Sequence, residues 1–178
     1  MNKKLSLLIE ESIRLELNVA EIYMFFYNTF PEDSDFWREM ALEEEGHASL
    51  IKSGRDTFLD QFPPKLLAPS LQELYKTNNK LTSLLREYKE NPPSRETAFN
   101  IALDIEQSPG ELHFQLAIEK SFTSSIMKTF QELNNGYKDH ANRIRSYMRD
   151  KGIEIRRRVS KHHKSLLKSC AFWILRGK

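Results

Sequence analysis

One feature most restricts the fold of this 178-residue chain: apolar residues recur at helical spacing over long segments, and these segments end at prolines. Side chains three or four residues apart share one face of an α-helix, and few stretches alternate as a strand would. The pattern predicts helices over about residues 3–30 and 36–62, ended by Pro31 and by Pro63-Pro64. The expected core positions are Leu5, Leu8, Ile9, Ile13, Leu17, Ala20 and Met24 in the first helix, and Trp37, Met40, Ala41, Ala48 and Ile51 in the second.

A long connection follows the second helix and contains a predicted short helix over residues 70–88. Ser94 is suited to cap a third long helix, over about residues 95–120. Because Pro109-Gly110 lies inside this helix, we expect a kink there.

The fourth long helix follows a short break at residues 121–124 and runs to about residue 150, where Gly152 can cap it. Four long helices with one long crossover predict an all-α four-helix bundle over residues 1–150. Residues 151–178 are then a separate tail, predicted to be a further helix.

Composition excludes several classes of protein. The single cysteine, Cys170, excludes a disulfide framework and any iron or zinc centre built from four cysteines. No run approaches the ~18–20 apolar residues of a membrane span, and the N-terminal residues do not resemble a secretory signal. We therefore expect a cytoplasmic protein.

The net charge of +2 is the sum of two unlike parts. Residues 151–178 carry nine basic residues and one acidic residue, whereas residues 1–150 carry 18 basic and 24 acidic ones. The basic tail can dock on the acidic bundle or on a second subunit. It can alternatively contact an anionic membrane through Phe172 and Trp173, or a nucleic acid without sequence preference.

The strongest candidate for a functional site begins with Glu44 and His47. Residues three apart on a helix point to nearly the same side, and a carboxylate with an imidazole suits iron, manganese or zinc. The neighbouring Glu43 and Glu45 are expected to face solvent.

Glutamates also lie on the predicted inner faces of two other helices. Glu16 lies among core positions of the first helix, with Tyr23 two turns later, and Glu106 in the third helix is followed at the same interval by His113. A carboxylate in a core is costly unless it is paired or bound to a metal. Tyr23 and His113 are expected beside the site rather than as ligands.

The fourth helix completes a weak internal repeat. His140 corresponds to His47, and Tyr137 stands where Glu44 would be. The separation from glutamate to histidine is 31 residues in the first helix pair and 34 in the second. Di-metal carboxylate bundles take one Glu from each of two helices and Glu-x-x-His from each of the other two. This chain has five of those six ligands.

The sequence here resembles the ferritin-like superfamily, and within it the rubrerythrin-like di-iron proteins. The resemblance covers about residues 3–150. It is carried by Glu16 with Tyr23, by ALEEEGHA at residues 41–48, by ALDIE at residues 102–106, and by His140.

The resemblance implies a ferritin-like bundle whose bound iron reduces O2 or peroxide. It implies that Glu16 and Glu106 are terminal carboxylates, that Glu44 is a bridging carboxylate, and that His47 and His140 are terminal imidazoles. One or two iron ions are expected, with manganese or zinc as alternatives, in a homodimer.

Two departures from the family pattern leave other functions open. Tyr137 replaces the second bridging glutamate, and a phenol with a pKa near ~10 is a poorer bridge. The chain also lacks a Cys-x-x-Cys electron-transfer domain, so a redox cycle needs an external electron donor. The alternatives are a non-catalytic bundle that acts as a binding or assembly module through its basic tail, and an iron store without turnover.

Overall fold

The structure, a computed structural model, describes residues 3–58, 70–107 and 140–156. These ranges are mostly helical and contain no strand, which confirms the all-α prediction. The elements are α1 (Lys3–Thr29), a 3-10 turn (Pro31–Asp33), α2 (Ser34–Phe58), α3 (Leu71–Glu90), α4 (Arg95–Glu106) and α5 (His140–Asp150). No helix among the described residues is long and apolar enough to cross a membrane.

The helix ends follow local sequence signals. Ser94 caps α4 by accepting a hydrogen bond from the Thr97 backbone N–H, as predicted. Ser70 caps α3 in the same way, accepting from the Glu73 N–H. α3 spans 20 residues, and its bounds lie within two residues of the helix predicted over residues 70–88.

Residues 153–156 are not helical, contrary to the prediction of a helix directly after the bundle. Gly152, with φ of 65°, ends α5 in the left-handed conformation that favours glycine. The Asn100 side chain on α4 then donates to the Glu154 carbonyl at 2.9 Å and accepts from the Arg156 N–H at 2.8 Å. The main chain of this segment therefore hydrogen-bonds to α4 instead of forming a helix of its own.

The core lies where α1 packs against both α2 and α3. The predicted core residues of α2 are all buried, which confirms that part of the pattern. Leu17 is wrong as a core position, since it is 48% exposed. Because two helices cover α1, its buried face instead includes Leu15, Val19, Ile22 and Phe26.

A partly buried ion pair joins the turn after α1 to the two later helices. The Asp33 carboxylate, which is fully buried, accepts from Arg95 Nε and Nη2 at 2.6 and 2.7 Å. The Tyr147 hydroxyl donates to the same carboxylate at 2.9 Å. One side chain thus links the 3-10 turn to α4 and α5.

Candidate metal centre

Five predicted ligands from four helices meet in one buried cluster. Glu16 comes from α1, Glu44 and His47 from α2, Glu106 from α4, and His140 from α5. All five are buried, and none is more than 6% exposed. They form two trios that share one glutamate, namely Glu16, Glu44 and His47, and Glu44, Glu106 and His140. In each trio, one candidate ligand atom per residue lies within 4.8 Å of the others.

Glu44 lies between the two imidazoles and contacts each with a different oxygen. Its Oε2 is 2.9 Å from His47 Nδ1, and its Oε1 is 2.8 Å from His140 Nδ1. Each Nδ1 also meets a second carboxylate: His47 faces Glu16 Oε2 at 3.4 Å, and His140 faces Glu106 Oε2 at 3.3 Å. The two rings stack with their centroids 5.4 Å apart. The two halves of the cluster are therefore built alike around one shared carboxylate.

The local sequence explains this convergence. Glu44 and His47 are three residues apart on α2 and so lie on one side of that helix. Glu16 belongs to the buried face of α1, and Glu106 to that of α4. His140 begins α5 and is also buried. Each ligand thus occupies a position that would otherwise hold an apolar core residue.

Burial and mutual repulsion separate the pKa values of the three glutamates. Burial raises the pKa of Glu16 to about 7. Burial, with the nearby charge of Glu44, also raises the pKa of Glu106. Burial acts in the same direction on Glu44, but its close contacts with His140 and His47 outweigh this effect and hold its pKa below the ordinary value. Glu44 is therefore the one of the three glutamates whose charged form the cluster favours.

Both imidazoles hold protons strongly when no metal is bound. Burial disfavours the charged form of His47, but contacts with Glu16 and Glu44 outweigh burial and raise its pKa to about 10. Burial likewise opposes the charge on His140, and contacts with Glu106, Glu43 and Glu44 raise its pKa. The cluster thus stabilises positive charge at two points, one beside each oxygen of Glu44.

Three carboxylate oxygens in the cluster are buried without a hydrogen-bond partner. They are Glu16 Oε2, Glu44 Oε1 and Glu106 Oε2, each 2.8–3.4 Å from an imidazole nitrogen but outside hydrogen-bond geometry. A buried oxygen without a partner is costly. A cation within each trio would satisfy these atoms, so the donor set fits metal ions.

Tyr23 lies beside the cluster, as the sequence predicts. Its hydroxyl donates to Glu106 Oε1 at 2.5 Å, and the residue is fully buried. This hydrogen bond holds one oxygen of Glu106 and leaves Oε2 facing His140.

Glu43 is part of the site, and the prediction that it faces solvent is wrong. Its side chain is only 16% exposed, and its Oε2 lies 2.7 Å from His140 Nε2. Arg143 on α5 contacts both of its oxygens. The signal in the sequence is the spacing of charges, because Arg143 lies one turn after His140 and Glu39 one turn before Glu43. Glu45, by contrast, is exposed as predicted.

Two of the predicted site residues, His113 and Tyr137, lie outside the described residues, as do the predicted kink at Pro109-Gly110, the break at residues 121–124 and the tail beyond residue 156. Their roles stay predictions.

The chain matches no protein-family model, no curated protein and no solved structure.

Proposed function

We propose that this chain is an iron-binding protein of ferritin-like architecture, in which the two trios hold a pair of divalent metal ions between helices. One observation carries the proposal: Glu44 is fully buried, and each of its two oxygens lies within 2.9 Å of a different imidazole nitrogen. A carboxylate in that position is suited to bridge two cations, one in each trio.

The rest of the donor set supports the same reading. Carboxylate oxygens with imidazole nitrogens suit iron, manganese and zinc. The trios also have the outer hydrogen bonds that orient metal ligands, from Tyr23 to Glu106 and between His140 and Glu43. The ferritin-like assignment is supported by the order of the ligands along the chain, with Glu on α1 and α4 and His on α2 and α5.

We further propose that the protein is an oxidoreductase that acts on O2 or peroxide. Bound ferrous ions would supply the electrons for that reduction, and an external donor would restore them. The chain itself contributes buried carboxylates that balance the positive charge, and imidazoles that give up protons on metal binding. Tyr23 keeps Glu106 oriented throughout.

Iron loading of the full chain tests the proposal. After anaerobic reconstitution with Fe(II) and desalting, elemental analysis should find two ions per chain in the wild type. The variant Glu44→Ala removes the shared ligand and should retain less than one. Glu45→Ala changes an exposed neighbour on the same helix and should retain two.

Absence of iron in the reconstituted wild type would contradict the metal-binding proposal. Iron that is bound but consumes neither O2 nor peroxide would contradict the oxidoreductase proposal alone, and would favour storage or a non-catalytic bundle.

A further inference from the structure

We propose that Glu43 and Arg143 form a positioning pair that fixes the orientation and tautomer of the His140 imidazole, so that its Nδ1 binds the metal ion of the second trio. This inference rests on the proposed metal-binding function. It concerns two residues that lie outside both trios.

The contact between Glu43 and His140 determines which ring nitrogen keeps its hydrogen when the other nitrogen binds a metal ion. Glu43 Oε2 lies 2.7 Å from His140 Nε2. An ionised carboxylate only accepts hydrogen bonds, so Nε2 must donate. Nδ1 is then the nitrogen presented to Glu44 Oε1 at 2.8 Å and to Glu106 Oε2 at 3.3 Å. With Nε2–H committed to Glu43, Nδ1 faces the carboxylates of the second trio and would hold a divalent ion there without any rotation of the ring.

Arg143 holds Glu43 in place for this task. Its Nη1 contacts both oxygens of Glu43, and its Nη2 lies 3.4 Å from Glu39 Oε2. Hydrogen bonds between two charged groups are stronger and better oriented than neutral ones. Because Arg143 follows His140 by three residues, both side chains reach α2 from the same face of α5. The ring and the group that orients it are thus carried on one turn of helix.

The effect of the pair should be confined to one half of the centre. Within the part of the chain that the structure describes, Glu43 hydrogen-bonds to His140 and Arg143, and not to Glu16 or His47. Loss of such an outer hydrogen bond to a metal-binding histidine typically costs about 10–100-fold in metal affinity. We therefore expect Glu43→Ala to weaken one equivalent of metal by about 10–100-fold and to leave the other unchanged.

The metal-free full chain is titrated with Co(II) in competition with a chelator. The visible absorption of the bound Co(II) then gives the affinity of the protein for each of the two equivalents of metal. Glu43→Ala and Arg143→Ala should each weaken one equivalent. Glu39→Ala is the matched control, because it removes an exposed carboxylate that contacts the same arginine. Circular dichroism establishes that each variant keeps its helices.

A second measurement, by proton NMR, detects the Nε2–H group of the His140 ring directly. In the Zn(II)-loaded wild type, proton NMR should show a downfield, slowly exchanging Nε2–H resonance that Glu43→Ala abolishes. Glu43→Gln keeps an acceptor oxygen of the same length and should keep a resonance, shifted upfield by the weaker bond. This variant and the wild-type spectrum decide the question even if Glu43→Ala fails to fold.

The outcomes separate this inference from the proposed function. Wild-type protein that binds two Co(II) ions while Glu43→Ala binds both equally tightly and keeps the resonance would overturn the positioning role alone. Wild-type protein that binds no Co(II) would overturn the metal-binding proposal and this inference together.

Discussion

Metal binding at this centre should release protons, because the imidazoles that become ligands are protonated beforehand. Contacts with carboxylates raise the pKa of His47 to about 10, and they raise the pKa of His140 as well. Both rings therefore hold a proton at neutral pH and compete with a metal ion for the same nitrogen. Because these protons leave as pH rises, metal affinity should rise with pH.

The number of protons follows from the three groups. At pH 7 the two imidazoles release about two protons, and Glu16, with a pKa of about 7, adds roughly half a proton. With about 2.5 protons displaced, the product of the two binding constants should rise roughly 300-fold per pH unit near pH 7.

Isothermal titration calorimetry with Zn(II) measures this release directly. At one pH, the observed heat varies with the ionisation enthalpy of the buffer, and the slope gives the number of protons. His47→Gln should lower the slope by about one proton, whereas Glu45→Gln, an exposed change, should leave it unaltered. Heats that do not depend on the buffer would refute the reasoning, because they would mean that both imidazoles are neutral before the metal binds.

Two further predictions concern stability. Asp33→Ala should lower the free energy of unfolding by about 2–3 kcal/mol, because Arg95 and Tyr147 lose a shared buried acceptor. Urea denaturation measures this change, and a loss below ~0.5 kcal/mol would show that the contact does not stabilise the fold. Leu15→Ala should lower the free energy of unfolding by about 2–5 kcal/mol and Leu17→Ala by less than about 1 kcal/mol, since Leu15 is 3% and Leu17 48% exposed. Equal losses of stability for the two variants in thermal denaturation would mean that α1 presents a different face to the core.

Features that depend on one stretch of chain could be read from the sequence. The pairing of Glu44 with His47 requires only helical spacing, and the Ser94 cap and the Gly152 helix end require only a few neighbouring residues. The carboxylate of Glu16 among core positions was also visible, because a charge there is costly unless something binds it.

Features that depend on a contact with a residue far away along the chain could not be predicted from the sequence. Glu43 bonds to a residue 97 positions away and Asp33 to one 62 positions away, so the spacing of residues within one helix does not identify either partner. The prediction that Leu17 is a core residue is wrong for a related reason. Its helix is covered by both α2 and α3, and which apolar residues are left outside depends on how all three pack.

The unequal chain distances within the two trios imply an order of assembly. Glu16, Glu44 and His47 span 31 residues and need only α1 and α2, which pack directly against each other. His140 must reach Glu43 across 97 residues, and its trio needs α4 and α5 in place. Closing a longer loop costs more entropy, and synthesis delivers the N-terminal helices first. A growing chain can therefore form one half of the centre while the other half is still being made.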